Sequence, residues 1–188
     1  MKLYENKFKE GYKDIILKNH AEDIKYIKML INDYSLKEQW PRIEISVSHK
    51  GKKNDGPFFW SVVGALVVSE KAKQELEEFW DNNDFELLPL YLEDEIYYIV
   101  HVIRLEDLEF DMQENERGDL IDIFNKEELL AKNIIDKGLF RIRFETGKPN
   151  YQIYITERFV ELVKNSTLKG FNFGVVWDSS MNEVNEVE

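Results

Sequence analysis

Apolar positions along the chain repeat with two periods. Residues 12–34 follow the helical one: Ile24, Ile27, Ile31 and Tyr34 share a stripe that Ile16 and His20 extend one turn back, while Lys25, Lys28 and Asp33 turn away. Trp40-Pro41 closes the region, because the proline ring drives the preceding residue out of the helical well. Arg42 to Ser48 alternates, with Ile43, Ile45 and Val47 on one side, which predicts a strand. His49 to Pro57 is polar and reads as a loop. Phe58 to Val68 is almost wholly apolar around Gly64, as expected of a strand buried on both faces and bulged or broken at the glycine.

Ser69-Glu70 is a helix start, the serine oxygen taking an orphan amide and the glutamate sitting at the positive end of the dipole. Ala72, Leu76, Phe79 and Trp80 line that helix and Asp81 to Asp84 stops it. Phe85 to Tyr91 and Glu95 to Leu105 predict a hairpin turning at Leu92-Glu93-Asp94, and residues 106–119 an acidic loop. Asn125 is placed to cap a further helix, with Glu128 completing a capping box and Gly138 past the end. Phe140, Ile142 and Phe144 alternate with Arg141 and Arg143 and return through Tyr151 to Ile155, a second hairpin around residues 146–150. Thr156-Glu157 is the cap of a helix carrying Phe159, Leu162 and Val163, and Phe171 to Trp177 forms a last strand.

Val68-Ser69-Glu70, a helix and Phe85-Glu86-Leu87-Leu88 echo Ile155-Thr156-Glu157, a helix and Phe171-Asn172-Phe173: a strand-helix-strand pseudo-repeat, or two ordinary pieces of the same architecture. The expected class is α+β: a mostly antiparallel sheet built from hairpins, with three or four helices packed on it. Residues 1–57 form an N-terminal helical segment and first strand expected to pack on a main domain of 58–177, and 178–188 form a frayed tail.

Composition adds direction. Acids outnumber bases 37 to 25, and the excess is local: residues 1–60 carry a surplus of three bases, 70–128 a surplus of 15 acids, and 129–188 balance. A negative field of this kind repels phosphate and anionic lipid and attracts basic protein surfaces. Neither nucleic acid nor membrane is expected as a partner. The start, Met1-Lys2-Leu3-Tyr4-Glu5-Asn6-Lys7, lacks a signal peptide's apolar stretch, and no apolar run approaches about 18 residues, so a cytoplasmic protein is expected.

Motifs of catalysis are absent. His20, His49 and His101 are scattered and cysteine is missing, so zinc-ligand spacing fails. There is no Gly-x-Ser-x-Gly elbow and no phosphate-binding glycine loop. Two acidic groups remain: Glu93, Asp94 and Glu95 at the hairpin tip, and Glu106, Asp107, Glu109 and Asp111 in the loop. Either could hold a divalent metal for hydrolysis, but solvated or partner-facing carboxylates are the simpler reading, and no cofactor is expected. Arg141 and Arg143 are read as pairing with acids across the sheet.

Several blocks, in order, carry a resemblance: Leu66-Val67-Val68-Ser69-Glu70-Lys71-Ala72-Lys73-Gln74-Glu75-Leu76, Phe85-Glu86-Leu87-Leu88-Pro89-Leu90, Tyr97-Tyr98-Ile99-Val100-His101-Val102, Leu139-Phe140-Arg141-Ile142, Ile153-Tyr154-Ile155-Thr156-Glu157-Arg158-Phe159 and Leu168-Lys169-Gly170-Phe171-Asn172-Phe173. Over residues 58–177 the chain resembles a family of bacterial immunity proteins for secreted polymorphic toxins, defined around a myxobacterial member. That family usually shows an aspartate followed by a serine after the Tyr-Tyr strand; here Asp107 and Asp111 both offer the aspartate and no serine follows in that loop. The resemblance implies a non-enzymatic protein that binds and blocks a cognate toxin. A basic toxin surface would be steered to the acidic hairpin and loop, with Tyr91, Tyr97 and Tyr98 as aromatic anchors. The alternatives are a metal-dependent hydrolase using the same carboxylates, or a scaffold or regulatory domain whose residues 1–57 dock a separate partner.

Overall fold

The computed structural model describes residues 1–81, 83–114, 120–143 and 151–180. They form two five-stranded sheets and a two-stranded ribbon. The α+β class is as expected, with two sheets in place of one and five helices among the described residues. Residues 144–150, with Phe144 and the second hairpin turn, as well as Asn82, Gly118 and residues 181–188, lie outside the described residues.

One sheet holds β1 (Lys2–Asn6), β7 (Leu105–Glu106), β10 (Leu139–Ile142), β11 (Tyr154–Thr156) and β12 (Phe173–Asp178), in the order β12-β1-β11-β10-β7. The other holds β2 (Asp14–Leu17), β3 (Ile43–His49), β4 (Val67–Ser69), β5 (Phe85–Leu92) and β6 (Glu95–Val102), in the order β2-β3-β5-β6-β4. All neighbours are antiparallel except β3–β5 and β7–β10. The ribbon pairs β8 (Phe110–Glu114) with β9 (Leu120–Phe124), so part of the stretch read as an acidic loop is strand.

The strand-helix-strand echo has a topological counterpart. β4 and β5 are joined by α2 (Glu70–Glu75) and α3 (Glu77–Trp80), and both lie antiparallel to β6, which sits between them. β11 and β12 are joined by α5 (Glu157–Lys164), and both lie antiparallel to β1 between them. Each is a split β-α-β unit. Their helices share one core: Phe79 and Phe159 sit 5.1 Å apart among Val68 and Val100 of one sheet and Leu139 and Ile155 of the other. A second core lies under α1 (His20–Ile27) and the 3-10 turn Lys28–Ile31; a third, with Phe140, Tyr154 and Trp177, lies under α4 (Lys126–Ala131) and the ribbon. No described helix is long and apolar enough to cross a membrane.

Several local expectations are corrected. The helix read over 12–34 is confined to His20–Ile27 and its 3-10 extension, because Asp14–Leu17, rich in β-branched residues, pairs with β3 instead. The tightened last turn buries Leu30 and leaves Tyr34 half exposed. Phe58–Val68 is not one strand. Phe58 and Trp60 bond both sides of Ile15 and so cover the β2 edge, the chain turns at Gly64 with φ +87°, and β4 begins at Val67. Ser69 caps α2 by accepting the Ala72 N–H at 3.1 Å. Thr156 does not cap: its hydroxyl donates to the Ile135 carbonyl at 2.9 Å. Asn125 accepts the Glu127 and Glu128 amides, while the Glu128 carboxylate takes the amide of Glu109, drawing the acidic segment onto α4.

Residues 1–57 are woven into both sheets rather than laid against them. β1 is interior to its sheet, between β11 and β12. The predicted polar loop is buried at Asn54 and Asp55. Asp55 accepts the Ser69 hydroxyl at 2.8 Å and the Lys169 amide at 2.9 Å, so one carboxylate ties the two β-α-β units together. At the other end, Ser179 is buried and its amide reaches the Met1 carbonyl at 3.0 Å, so the tail is tied as far as that residue.

Candidate interaction surfaces

The β5–β6 hairpin is in full register from Phe85↔Val102 to Leu92↔Glu95, leaving Glu93 and Asp94 as a two-residue turn. Glu93 adopts φ 51°, as such a turn demands. Both turn carboxylates are exposed and neither forms an ion pair among the described residues. Glu95 differs. Burial would raise its pKa, but the Lys13 ammonium at 3.0 Å and the Tyr97 hydroxyl at 3.0 Å outweigh that and hold the carboxyl below its ordinary value.

Tyr91 lies half-buried opposite Glu44, with the Arg42 guanidinium 4.0 Å from its ring centroid. These side chains, with Lys18, Val47 and Glu93, line a groove of about 380 Å³ beside the turn. Tyr97 and Tyr98, expected as anchors, are 1% and 9% exposed and belong to the cores on opposite faces of β6. The Tyr98 hydroxyl donates to Glu70 and receives Lys73 at 3.1 Å. Of the three tyrosines, Tyr91 alone can offer its ring to a partner without unpacking.

The second acidic group sits past the other end of β6, about 23 Å away at the rise of a strand. Two of its four carboxylates are paired. Glu106 is buried between Lys137 and Arg104, the latter at 3.5 Å. Asp107 meets Arg143 at 3.1 Å, and Arg143 also reaches Asp33 at 3.2 Å. Glu109 and Asp111 remain exposed. The hairpin and loop carboxylates therefore form no joint centre, and among the described residues no three His, Asp or Glu side chains converge to hold a metal ion.

Arg143 pairs with acids as expected, but Arg141 does not. It is 2% exposed, and its donors go to the carbonyls of Val102 (2.8 Å), Leu30 (2.5 Å) and Asn32 (2.8 Å). Burial pulls its pKa down to about 10. Beside it His101 places Nδ1 3.2 Å from Glu86 and Nε2 3.0 Å from the Asn32 carbonyl, and Glu86 also accepts the Leu36 amide at 2.8 Å and the Ser35 hydroxyl. This network fastens residues 30–36 to both sheets. Glu86, His101 and Arg141 are all buried.

The sequence reading missed the exposed aromatics. Phe8 and Trp60 are 38% and 42% exposed and pack around His49, with ring centroids 5.1 to 5.9 Å apart. They come from loops remote in sequence, and no period marks them. Compared with models of known protein families and with curated proteins, the chain matches none.

Proposed function

We propose that this chain is a non-enzymatic immunity-type protein acting in the cytoplasm, which binds a toxin of basic surface and blocks it by stoichiometric contact. The observation that carries the reading is the β5–β6 tip. Two unpaired carboxylates, Glu93 and Asp94, stand on a short rigid turn beside the groove that exposes Tyr91. Charges held free of ion pairs keep their full field for steering, whereas paired ones cancel at short range. A half-exposed aromatic at the foot of such a tip supplies the desolvated anchor that charge alone lacks. Glu109 and Asp111 extend the acidic surface at the far end; Glu106, Tyr97 and Tyr98 serve the fold.

Co-expression with the product of the reading frame immediately upstream, followed by affinity capture at low and high salt, tests the reading. A one-to-one complex is expected, formed more slowly as salt screens the tip. Glu93→Lys with Asp94→Lys should cut the association rate by about tenfold at low salt, with an unchanged melting temperature. An association rate untouched by that double reversal removes this surface from the interface, and failure to form any complex removes the immunity reading.

A further inference from the structure

The opposite charge gathers elsewhere. The loop after β1, residues 7–13, is clipped to the strand entering β12: the Lys7 amide donates to the Asn172 carbonyl at 2.8 Å, Asn172 Nδ2 donates to the Phe8 carbonyl at 2.6 Å, and Lys9 Nζ donates to the Phe171 carbonyl at 3.1 Å. On one side of this loop lies an open groove of about 430 Å³, walled by Tyr4, Tyr12, Phe171 and Phe173. Lys9, Lys164 and Lys169 line it and no carboxylate does. Phe8 of the same loop packs with His49 and Trp60 as an aromatic knob, and Lys52, hydrogen-bonded through its amide to Gly11, borders the loop. None of these four lysines forms an ion pair among the described residues. Glu10 in the loop and Glu157 and Glu161 near Tyr4 are carboxylates set against them.

We infer that this face is a second docking surface, which takes an acidic polypeptide segment bearing apolar side chains. Unpaired ammonium groups around a groove, in a chain of net charge −12, are a local inversion of the field. They complement a polyanion. The rings decide which one. Nucleotide stacking needs separate ring faces presented in sequence along a strand, but Phe8, His49 and Trp60 are tilted 37° to 58° and packed against one another. Such a cluster buries apolar side chains as a hot spot with a charged rim does. An extended acidic-apolar segment can lay its carboxylates on Lys9, Lys164 and Lys169, and its apolar side chains in the groove and against Trp60. The inference does not depend on the toxin reading, since it concerns a different face and the opposite charge.

The test uses the full chain and three labelled probes of equal length: a peptide alternating Glu with Leu and Phe, poly-Glu, and oligo-dT. Fluorescence anisotropy at low and physiological salt reads the affinities, and tryptophan emission reads the knob. The alternating peptide is expected to bind one-to-one, to shift the emission, and to bind about tenfold tighter than poly-Glu, weakening with salt. Lys164→Glu with Lys169→Glu should weaken it at least about tenfold with an unchanged melting temperature, and Trp60→Ala about tenfold when measured at a temperature where the variant is fully folded, since that ring also packs on Phe8 and Phe58. Absence of saturable binding by the alternating peptide overturns the inference. So does binding that both variants leave untouched, or tighter binding of oligo-dT, which would make the face a nucleic-acid surface.

Discussion

Arg141 makes the buried network quantitative. Replacing it with Met keeps the approximate length and removes three donors from the carbonyls of Leu30, Asn32 and Val102. The Asn32 carbonyl retains His101 Nε2 at 3.0 Å, so two acceptors lose the donor that Arg141 gave them. Each stranded acceptor costs about 1–3 kcal/mol, and the relief of no longer burying a guanidinium returns part of that. Two stranded acceptors, less that relief, leave an expected loss of about 3 kcal/mol. For a chain of this length that is a melting temperature lower by about 6–12 °C. Urea unfolding followed by circular dichroism gives the free energy, with an unchanged slope showing that the unfolded state is unaltered. Arg141→Lys should recover only part of the loss, since a single ammonium cannot reach three carbonyls held by a planar fork. An unchanged or raised midpoint for Arg141→Met would refute the reasoning: the desolvation of the guanidinium would then match everything its bonds return.

Acid should destabilise the same network. Burial holds His101 below its ordinary 6.5, and for Glu86 the donors of Leu36, Ser35 and His101 outweigh burial and hold it below its ordinary 4.5. The unfolded chain then binds protons more readily at both positions, so stability is full at neutral pH, declines as pH falls through 6.5, and declines further below 4.5. Melting temperatures across that range check it, and His101→Gln should flatten the upper part of the decline. Asp55→Ala removes the acceptor shared by Ser69 and Lys169 and should cost on the order of 2 kcal/mol in urea unfolding. A chain beginning at residue 58 should show no cooperative unfolding transition, because it lacks β1 from the interior of one sheet and β2 and β3 from the other.

What was legible in the sequence follows from the range of the interactions involved. The Ser69 and Asn125 caps, the hairpin from Phe85 to Val102 and the two strand-helix-strand units are set by residues a few positions apart, and the pattern displays them. Residues 12–34 misled because Ile16 fits a helical stripe as well as a strand, and only the distant β3 chooses between them. The cover of β2 by Phe58 and Trp60 was hidden for the same reason. In the candidate site, the acidic tip was visible as sequence, whereas the burial of Tyr97 and Tyr98 was not. Two consecutive tyrosines on a strand face opposite sides, and both sides of β6 are cores.

Charge by thirds of the chain was a poor guide to charge in space, and the difference separates two kinds of acid. The balanced last third is balanced by partition. Lys137 and Arg143 fold back onto Glu106 and Asp107 and pair with them, while Lys164 and Lys169 go to the groove beside Lys9. Reversal of charge should therefore act differently at the two acidic sites that looked alike in sequence. Glu106→Lys puts a third cation beside Lys137 and Arg104 at a position 7% exposed, and should cost on the order of 3 kcal/mol of stability. Its effect on toxin association should be no greater than the loss of folded protein explains. Glu93→Lys with Asp94→Lys should leave the unfolding curve in place and slow association. Measuring unfolding and association for both variants separates the roles. If the tip variant loses stability, or if Glu106→Lys slows binding while fully folded, then the free and the paired carboxylates have been assigned the wrong way round.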